Sequence, residues 1–274
     1  MSVSGENAPS GGARFLGAHE RTLLSRIEDA GLNASAPPQQ RWMDGWIVRT
    51  SPGKAQRSRC INAVAPGRRP VHEKLAECAA QYRALGLPLL VRITPFTQPP
   101  ELDATLAADG YALHDDTRVM VLPVIDAGAL AHGEPPEGAR WTEIAPTDFA
   151  EAVGALRGSS PEARRAQAQR LLSAPVPYRG FALARDGAIV ACGQIATEGD
   201  LVGLYDIASD ARSQRQGLAT WLCKRLLTIA QSECQSSSSY LQVGADNHSA
   251  RRLYARLGFA DAYGYHYRIQ SSRG

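Results

Sequence analysis

Residues 204–227 read LYDIASDARSQRQGLATWLCKRLL. The apolar, β-branched start predicts a strand, and the spacing of the leucines predicts an amphipathic helix from about residue 217 to 234. Between them lies a loop with Gly217, where the backbone can approach a ligand closely. The free N–H groups and the dipole at the helix start favour a phosphate by ~0.3–1 kcal/mol per charge. Because Arg212 and Arg215 add positive charge, this stretch predicts an anion site.

A second informative stretch, residues 240–259, reads YLQVGADNHSARRLYARLGF. It predicts a strand followed by a helix over about 247–257, which stops at Gly258. Asn247 is a good N-cap, since its side chain can accept a hydrogen bond from a first-turn N–H group. Ala250 and Tyr254 lie four residues apart and therefore share one face of the helix.

Both stretches resemble motifs of the GNAT acyltransferase superfamily. Residues 214–219 match its Q/R-x-x-G-x-G/A loop, and residues 247–259 match N-x-x-A-x-x-x-Y-x-x-x-G-F through Asn247, Ala250, Tyr254, Gly258 and Phe259. The resemblance covers residues 140–269, about half of the chain. It implies an α/β (α+β) fold with a mixed, mostly antiparallel, twisted sheet flanked by helices.

The resemblance also implies an acetyl-CoA site. The loop backbone is expected to hold the pyrophosphate, and the main chain at the end of the preceding strand is expected to contact the pantetheine and the acyl oxygen. The Asn247 side chain is expected to touch the pantetheine arm as well. The predicted cofactor-binding residues are Ile207, Ala208, Ser209, Gln214, Arg215, Gln216, Gly217, Leu218, Ala219, Thr220, Asn247, Ala250 and Tyr254.

Two residues are predicted to carry the chemistry. By resemblance, the Tyr254 hydroxyl donates a proton to the CoA thiolate as it leaves; the alternative is a buried core tyrosine. Asp206 is the first candidate for the general base, with Tyr205 and Glu198 as alternatives, and a purely structural carboxylate is the competing interpretation. Strand alternation predicts that Tyr205 and Asp206 lie on opposite faces, so that only one of them looks into the cleft.

The first half of the chain is predicted to be a degenerate GNAT-like repeat. Gly110-Tyr111 and Gly258-Phe259 each follow a predicted helix, and they are 148 positions apart. The first half lacks the phosphate loop and has Leu106 where the second has Tyr254, so it is expected to pack against the catalytic half without binding CoA. The predicted organisation is a disordered tail at 1–18, a degenerate domain at 19–125, a linker at 126–140 and a catalytic domain at 141–274.

Residues 41–66 predict a hairpin around the turn SPGK at 51–54. Trp42 and Trp46, placed on one strand four residues apart, are predicted to share a face and to pack in the core rather than line an acceptor cleft. Arg59 and Asn62 are weaker candidates for the acceptor site.

Composition narrows the classes of partner. The 274 residues carry a formal net charge of +3 with no basic block, so no nucleic-acid surface is predicted. No apolar run reaches the length of a membrane helix, and the start lacks a secretory signal, so a cytoplasmic protein without a membrane partner is expected. Five scattered cysteines without a CxxC pair predict neither disulfides nor a metal site.

These observations predict an acetyl-CoA-dependent N-acetyltransferase, in which an amine attacks the thioester directly in a ternary complex. The acceptor is a small molecule or a protein amine, and the protein is a monomer or a homodimer. Another acyl-CoA donor, an O-acyl acceptor or a CoA-binding regulatory protein without turnover stay open.

Overall fold

The computed structural model describes residues 18–126, 128–130 and 133–270. The predicted tail at 1–18 lies outside these residues, apart from Ala18. In the first half the elements are α1 (Ala18–Ala34), β1 (Gln40–Met43), β2 (Trp46–Arg49), β3 (Ile61–Ala63), α2 (Val71–Ala84), β4 (Leu90–Ile93), α3 (Leu102–Ala108) and β5 (Tyr111–Leu122). In the second half they are β6 (Ala139–Ile144), α4 (Pro146–Leu156), α5 (Pro161–Leu172), β7 (Tyr178–Arg185), β8 (Ala188–Glu198), β9 (Leu201–Ser209), α6 (Leu218–Cys234), β10 (Ser238–Gly244), α7 (His248–Arg256) and β11 (Ala260–Gln270).

The described strands form one continuous sheet in the order β1-β2-β3-β4-β11-β5-β10-β9-β8-β7-β6. Only the neighbours β3–β4 and β9–β10 are parallel within the described residues. The mixed, mostly antiparallel sheet flanked by helices confirms the predicted fold class. The succession β1-β2-β3-α2-β4-α3-β5 recurs as β7-β8-β9-α6-β10-α7-β11, and the parallel pair occupies the same place in each.

The two halves exchange their last strands. β5 ends the first half but lies between β10 and β11, and β11 ends the second half but lies between β4 and β5. The sheet therefore runs without a break from one half to the other. The predicted linker at 126–140 lies between β5 and β6 and overlaps the start of β6, and the domain boundary there stays a prediction.

The structure confirms a hairpin around SPGK and adds an earlier turn that was not predicted. The chain turns at Asp44–Gly45, both with positive φ, before β2 pairs antiparallel with β3 across the loop that contains SPGK. A Cβ atom on Gly45 would lie 2.3 Å from the Ala65 carbonyl oxygen, so this turn requires glycine. Trp42 and Trp46 consequently stand on different strands: Trp46 is buried in the core as predicted, whereas Trp42 is 67% exposed.

Helices cover both faces of the sheet. α6 packs against the second-half strands through an apolar cluster that includes Leu222, Leu226 and Phe181. On the opposite face, α1 from the first half lies over β9, β10 and β11 through Leu24 and Ile27. Because α1 crosses to the second half, residues that follow it reach the end of β9.

The structure also bears on disulfides, metal sites and membrane spans. All five cysteines are free thiols. Within the described ranges, no cluster of three or more His, Cys, Asp or Glu side chains is arranged to hold a metal ion. No helix in the same ranges has the length and apolar character needed to cross a membrane.

Candidate active site

β9 and β10 separate halfway along their length. They pair from Leu201 to Leu204, opposite Ser238 to Leu241, and the ladder ends there. β9 also bulges, because its pairing with β8 shifts between Gln194↔Tyr205 and Cys192↔Ala208. Asp206 at this bulge has a φ of 53°. The predicted segment Ile207–Ser209 therefore belongs to the part of β9 that no longer pairs with β10. The main-chain groups on its β10 edge face the gap between the two strands.

The loop between β9 and α6 presents unpaired N–H groups. Asp210 caps a short 3-10 helix by accepting a hydrogen bond from the Arg212 N–H at 3.2 Å. Gly217 has a φ of 77°, and the Trp221 N–H donates the first hydrogen bond of α6 to its carbonyl. The N–H groups of residues 218–220 precede that bond and have no intrahelical acceptor.

The charge of this loop suits a polyanion. Arg212 and Arg215 are exposed and form no ion pair within the described part of the chain. The Arg185 guanidinium donates to the Gln216 side-chain oxygen at 2.9 Å and lies beside them. The positive end of α6 and these guanidinium groups together fit the phosphates of a nucleotide cofactor.

α7 brings the second predicted motif to the same place. Asn247 Oδ1 accepts a hydrogen bond from the Ala250 N–H at 3.1 Å, which confirms its N-cap role. Ala250, Tyr254 and Ile207 pack against the same apolar cluster as Leu218 of α6. The structure thus brings together the strand end, the loop and α7.

Tyr254 is held with its hydroxyl in the protonated form. Its ring lies edge-on to Phe259, with centroids 6.1 Å apart. Burial raises the pKa of Tyr254 well above its usual value, so the hydroxyl keeps its proton at neutral pH. It has no hydrogen-bond partner among the described residues.

Asp206 is surrounded by donors. Its Oδ1 accepts from Arg157 at 2.6 Å, and its Oδ2 accepts from Gln194 at 2.8 Å and from Gln167 at 3.0 Å. Arg170 Nη2 lies 3.9 Å from Oδ2. Burial raises the pKa of Asp206, but the positive charges of Arg157 and Arg170 outweigh that effect and hold it below its usual value. The carboxyl group is therefore ionised at neutral pH.

The prediction that Tyr205 and Asp206 point to opposite faces is wrong. Both line one cavity, because the bulge at Asp206 interrupts the alternation of the strand. The Tyr205 hydroxyl shares a 2.9 Å hydrogen bond with the Tyr240 hydroxyl, and burial raises its pKa. Glu198 lies at the other end of the β8–β9 pair, where both its oxygens accept from the Asn33 amide at 3.0 Å.

The cavity has a volume of about 360 Å³ and lies between the two halves. The first half contributes the end of α1 and the loop at 51–58, and the second half contributes α5, the residues that follow α4, and the bulge of β9. Its charged lining residues are Lys54, Arg57, Arg157, Arg170 and Asp206.

Sequence reasoning missed four of these five charged residues. The candidates it offered instead, Arg59 and Asn62, do not line the cavity; Asn62 lines a smaller one of about 110 Å³ beside α1. A usable signal was present in KAQRSR at 54–59, a run of cations in a loop that directly follows Pro52 and Gly53.

Comparison with known proteins identifies the second half. Residues 141–259 match the sequence model of the Acetyltransferase (GNAT) family. This stretch is a GNAT acetyltransferase domain. The GNAT domain spans β6 to the start of β11 and contains the parted strands, the loop and α7.

The whole chain is similar to other GNAT proteins. It is 23% identical over 231 residues to the uncharacterized N-acetyltransferase YobR of Bacillus subtilis (strain 168), which covers 84% of this chain and 92% of that protein. A GCN5-related N-acetyltransferase from Kribbella flavida has the same fold, with a TM-score of 0.65, 16% identity and coverage of 94% and 97%. A tandem GNAT protein from the clavulanic acid biosynthesis pathway, solved without AcCoA, gives a TM-score of 0.59, 18% identity and coverage of 76% and 73%.

Proposed function

We propose that this protein transfers the acetyl group of acetyl-CoA to an amine by direct attack in a ternary complex. The observation that carries the proposal is the parting of β9 from β10 beside the open N–H groups of α6, with a cavity at the bulge of β9. A thioester lying in the gap between the strands reaches that cavity, where an acceptor can meet it.

The donor is proposed to lie along the loop and the strand end. Its phosphates bind the N–H groups of residues 214–220, with Arg212 and Arg215 nearby, and its pantetheine follows the main chain of residues 207–209. Asn247 and Ala250 border the same arm. The match of residues 141–259 to the GNAT family supports this placement.

The reaction forms one bond and breaks one bond. The acceptor nitrogen attacks the thioester carbonyl carbon, the C–N bond forms and the C–S bond breaks. The nitrogen passes its proton by way of Asp206 to solvent, and the departing thiolate takes a proton from the Tyr254 hydroxyl, which solvent then reprotonates. A positioned acid contributes ~10²–10⁴-fold, and a value at the lower end is expected because a thiolate is already a tolerable leaving group.

Asp206 is proposed to contact the acceptor amine. Each carboxylate oxygen has about two acceptor positions, and Oδ1 has one protein donor, Arg157, among the described residues. The second position faces the cavity in this proposal and accepts a hydrogen bond from the amine. With its pKa below the usual value, Asp206 is a weak base that passes on any proton it takes up.

To test the proposal, the protein is titrated with acetyl-CoA and its melting temperature is measured at each concentration. Binding to the folded state stabilises it by about 2.7 kcal/mol at a hundredfold excess over Kd. Gly217→Glu is expected to abolish the shift, because it places a carboxylate among the N–H groups that bind phosphate. Gly110→Glu is the matched control, since both glycines are exposed, have φ near 80° and leave open space for a side chain.

The alternatives give different results in the same experiment. A shift with other acyl-CoA molecules but none with acetyl-CoA identifies a different donor. A shift without CoA release from any amine identifies a binding protein without turnover. Equal shifts in Gly217→Glu and the unchanged protein contradict the proposed phosphate site.

A further inference from the structure

We infer that the acceptor is a small amine that also carries an anionic group, a carboxylate or a phosphate, and that Arg57 and Lys54 of the first half recognise that group. The inference rests on the proposed function for the identity of the reaction, but its evidence is separate. It comes from the charge balance and the donors of the cavity between the halves.

The cavity has a strong surplus of positive charge. Lys54, Arg57, Arg157 and Arg170 face it, and Asp206 is the one carboxylate among its lining residues. Asp206 hydrogen-bonds to Arg157 and lies near Arg170, so a single negative charge is shared between two guanidinium groups. Clefts lined by one sign of charge concentrate ligands of the opposite sign.

Arg57 has N–H donors that the described part of the protein leaves unused. A guanidinium group has five N–H donors, and among the described residues Arg57 uses its Nη1 toward the Gln242 side-chain oxygen. No carboxylate lies within 4.0 Å of it in the same residues, and its guanidinium carbon lies 5.7 Å from the centre of the Tyr205 ring. Arginine matches the fork geometry of carboxylates and phosphates, so these free donors suit an anionic ligand.

Other buried cations of the chain have their partners inside the protein. Arg92 pairs with Glu28, and Lys74 with Asp44. Arg49 donates to the carbonyl oxygens of Leu32 and Arg57. Arg57 instead lines the cavity of about 360 Å³ with no carboxylate partner, and Lys54 adds a second, exposed charge to the same lining and forms no ion pair in the described part of the chain.

The arrangement orients a bifunctional ligand. Asp206 lies at the bulge of β9, where the thioester is proposed to arrive, while Lys54 and Arg57 belong to the wall that the first half supplies. A ligand with an amine at Asp206 and an anionic group at Arg57 therefore pairs with an opposite charge from each half of the chain. A volume of about 360 Å³ is at the small end of ligand sites and suits a molecule the size of an amino acid or an aminoalkyl phosphate, while the positive lining disfavours a polyamine.

The experiment uses pairs of amines that differ in one anionic group. Amino acids are compared with their amides, and O-phosphoethanolamine is compared with ethanolamine; putrescine and spermidine represent cations. CoA release gives kcat/KM for each amine, and melting temperature without acetyl-CoA reports binding alone. The anionic member of a pair is expected to exceed its neutral partner by at least tenfold, and the better of the carboxylate and phosphate series identifies the group.

Variants of the intact chain assign the effect to the first half. Arg57→Gln is expected to lower kcat/KM for the anionic amine by roughly 10- to 100-fold, the usual value of a hydrogen bond to a charged group, with little change for its neutral partner. Arg57→Lys restores part of the loss and controls for folding. Lys54→Glu acts in the same direction from an exposed position, while Arg83→Glu makes the same change of charge on α2, outside the cavity lining.

The two proposals fail in different ways. A preference for neutral or cationic amines, acetylation of protein amines alone, or no response to Arg57→Gln and Lys54→Glu overturns the inference. Stabilisation by anionic amines that requires Arg57, in a protein that does not bind acetyl-CoA, upholds the inference while the proposed function falls. Acetyl-CoA-dependent acetylation of neutral or cationic amines, with no gain for the anionic member of a pair, does the reverse.

Discussion

Asp206 combines an unusual backbone with a crowded carboxylate. Its φ of 53° places it in the left-handed region, which aspartate tolerates better than the β-branched Ile207 beside it does. That conformation turns its side chain toward Arg157, Gln167 and Gln194 instead of following the alternation of β9. The same residue therefore makes the bulge and supplies the negative charge at its centre.

Asp206→Asn is expected to separate these two roles. Asparagine also tolerates positive φ, but it leaves Arg157 and Arg170 without a counter-charge. We expect kcat/KM for the amine to fall by about 10² or more while the melting-temperature shift with acetyl-CoA persists. The free energy of unfolding at pH 7 should fall by about 1–2 kcal/mol, less than for a fully buried pair because the Arg157 side chain is 46% exposed.

The pH dependence checks the same pair. The pKa of Asp206 is lower in the folded protein than its usual 3.8. Its contribution is therefore fully present above about pH 4 and is lost as pH falls through the folded value. Urea unfolding should show the gap between the variant and the unchanged protein shrinking toward pH 3. An equal gap at pH 3 and pH 7 contradicts this assignment.

Tyr254→Phe is expected to lower kcat with little effect on acetyl-CoA binding. Removing the hydroxyl removes the acid for the departing thiolate, and the loss should be about 10²-fold. The rate of CoA release at saturating donor and acceptor measures it. Tyr111→Phe, a buried tyrosine of β5 outside the site, is the control and should leave kcat unchanged. Retention of full kcat in Tyr254→Phe assigns the residue to packing alone.

At the scale of elements, sequence periodicity located the helices and most strands. The helix predicted at 217–234 runs from Leu218 to Cys234, and the one predicted at 247–257 runs from His248 to Arg256. Their apolar spacing and their glycine boundaries are local signals. The Asp44–Gly45 turn also has a local signal, because DG favours a tight hairpin, but the prediction included only the hairpin around SPGK, which β2 and β3 form.

The bulge and the basic cavity had no such signal. Nothing in LYDIAS marks Asp206 as the residue that breaks the alternation, since the break depends on pairing with β8. Arg57 and Arg157 are a hundred positions apart and meet only once the sheet is assembled. A motif could therefore point to Asn247 and Tyr254, whereas no sequence signal brought together the cations that line the cavity.

The attachment of α1 to the sheet depends on a buried ion pair. Glu28 accepts hydrogen bonds from two nitrogens of Arg92 on β4, and from the Tyr263 hydroxyl on β11 at 2.7 Å. Burial raises the pKa of Glu28, but the charge and hydrogen bonds of Arg92 lower it further, to a value below the usual one. α1 also carries Ala34 and Ser35 to the cavity, so this pair supports the proposed acceptor site.

Glu28→Gln is expected to lower the free energy of unfolding by about 3–5 kcal/mol at pH 7, because it leaves the charge of Arg92 buried without a partner. The contribution of Glu28 is present above about pH 4.5 and is lost as pH falls through the lower folded value. Urea midpoints at pH 7 and pH 3.5 measure both effects. Glu101→Gln, an exposed position before α3, is the matched control and should change the midpoint little.

At the scale of the whole molecule, β5 and β11 belong to one half by sequence and pair with strands of the other half in the sheet. β5 begins one residue after Gly110 and β11 begins two residues after Gly258, and each is long enough to pair on either side. The alternation of residues along each strand determines which side chains face the core, but it does not determine which strand lies next to it in the sheet. The exchange of the last strands was therefore invisible in a sequence that predicted two GNAT-like halves packed together.

This exchange predicts one cooperative unfolding transition for the intact chain. β5 pairs with β11 over nine residue positions and with β10 over six, so unfolding either half removes partners from the other. Far-ultraviolet circular dichroism and tryptophan fluorescence should give coincident melting curves, with Trp46 reporting the first half and Trp141 the second. The calorimetric and van't Hoff enthalpies should agree.

Cleavage at an engineered protease site within residues 133–138 tests the same coupling without removing a strand. The two fragments should stay associated under native conditions, since the exchanged strands hold them together. The associated fragments should melt in one transition, and acetyl-CoA should raise its temperature as it does for the uncut chain. Two resolved transitions in the uncut chain, or separation of the fragments in dilute native buffer, contradict the coupling. Persistence of the complex instead means that the sheet itself fixes the first half to the second, so that the 51–58 loop keeps its position at the cavity without an intact connection between the halves.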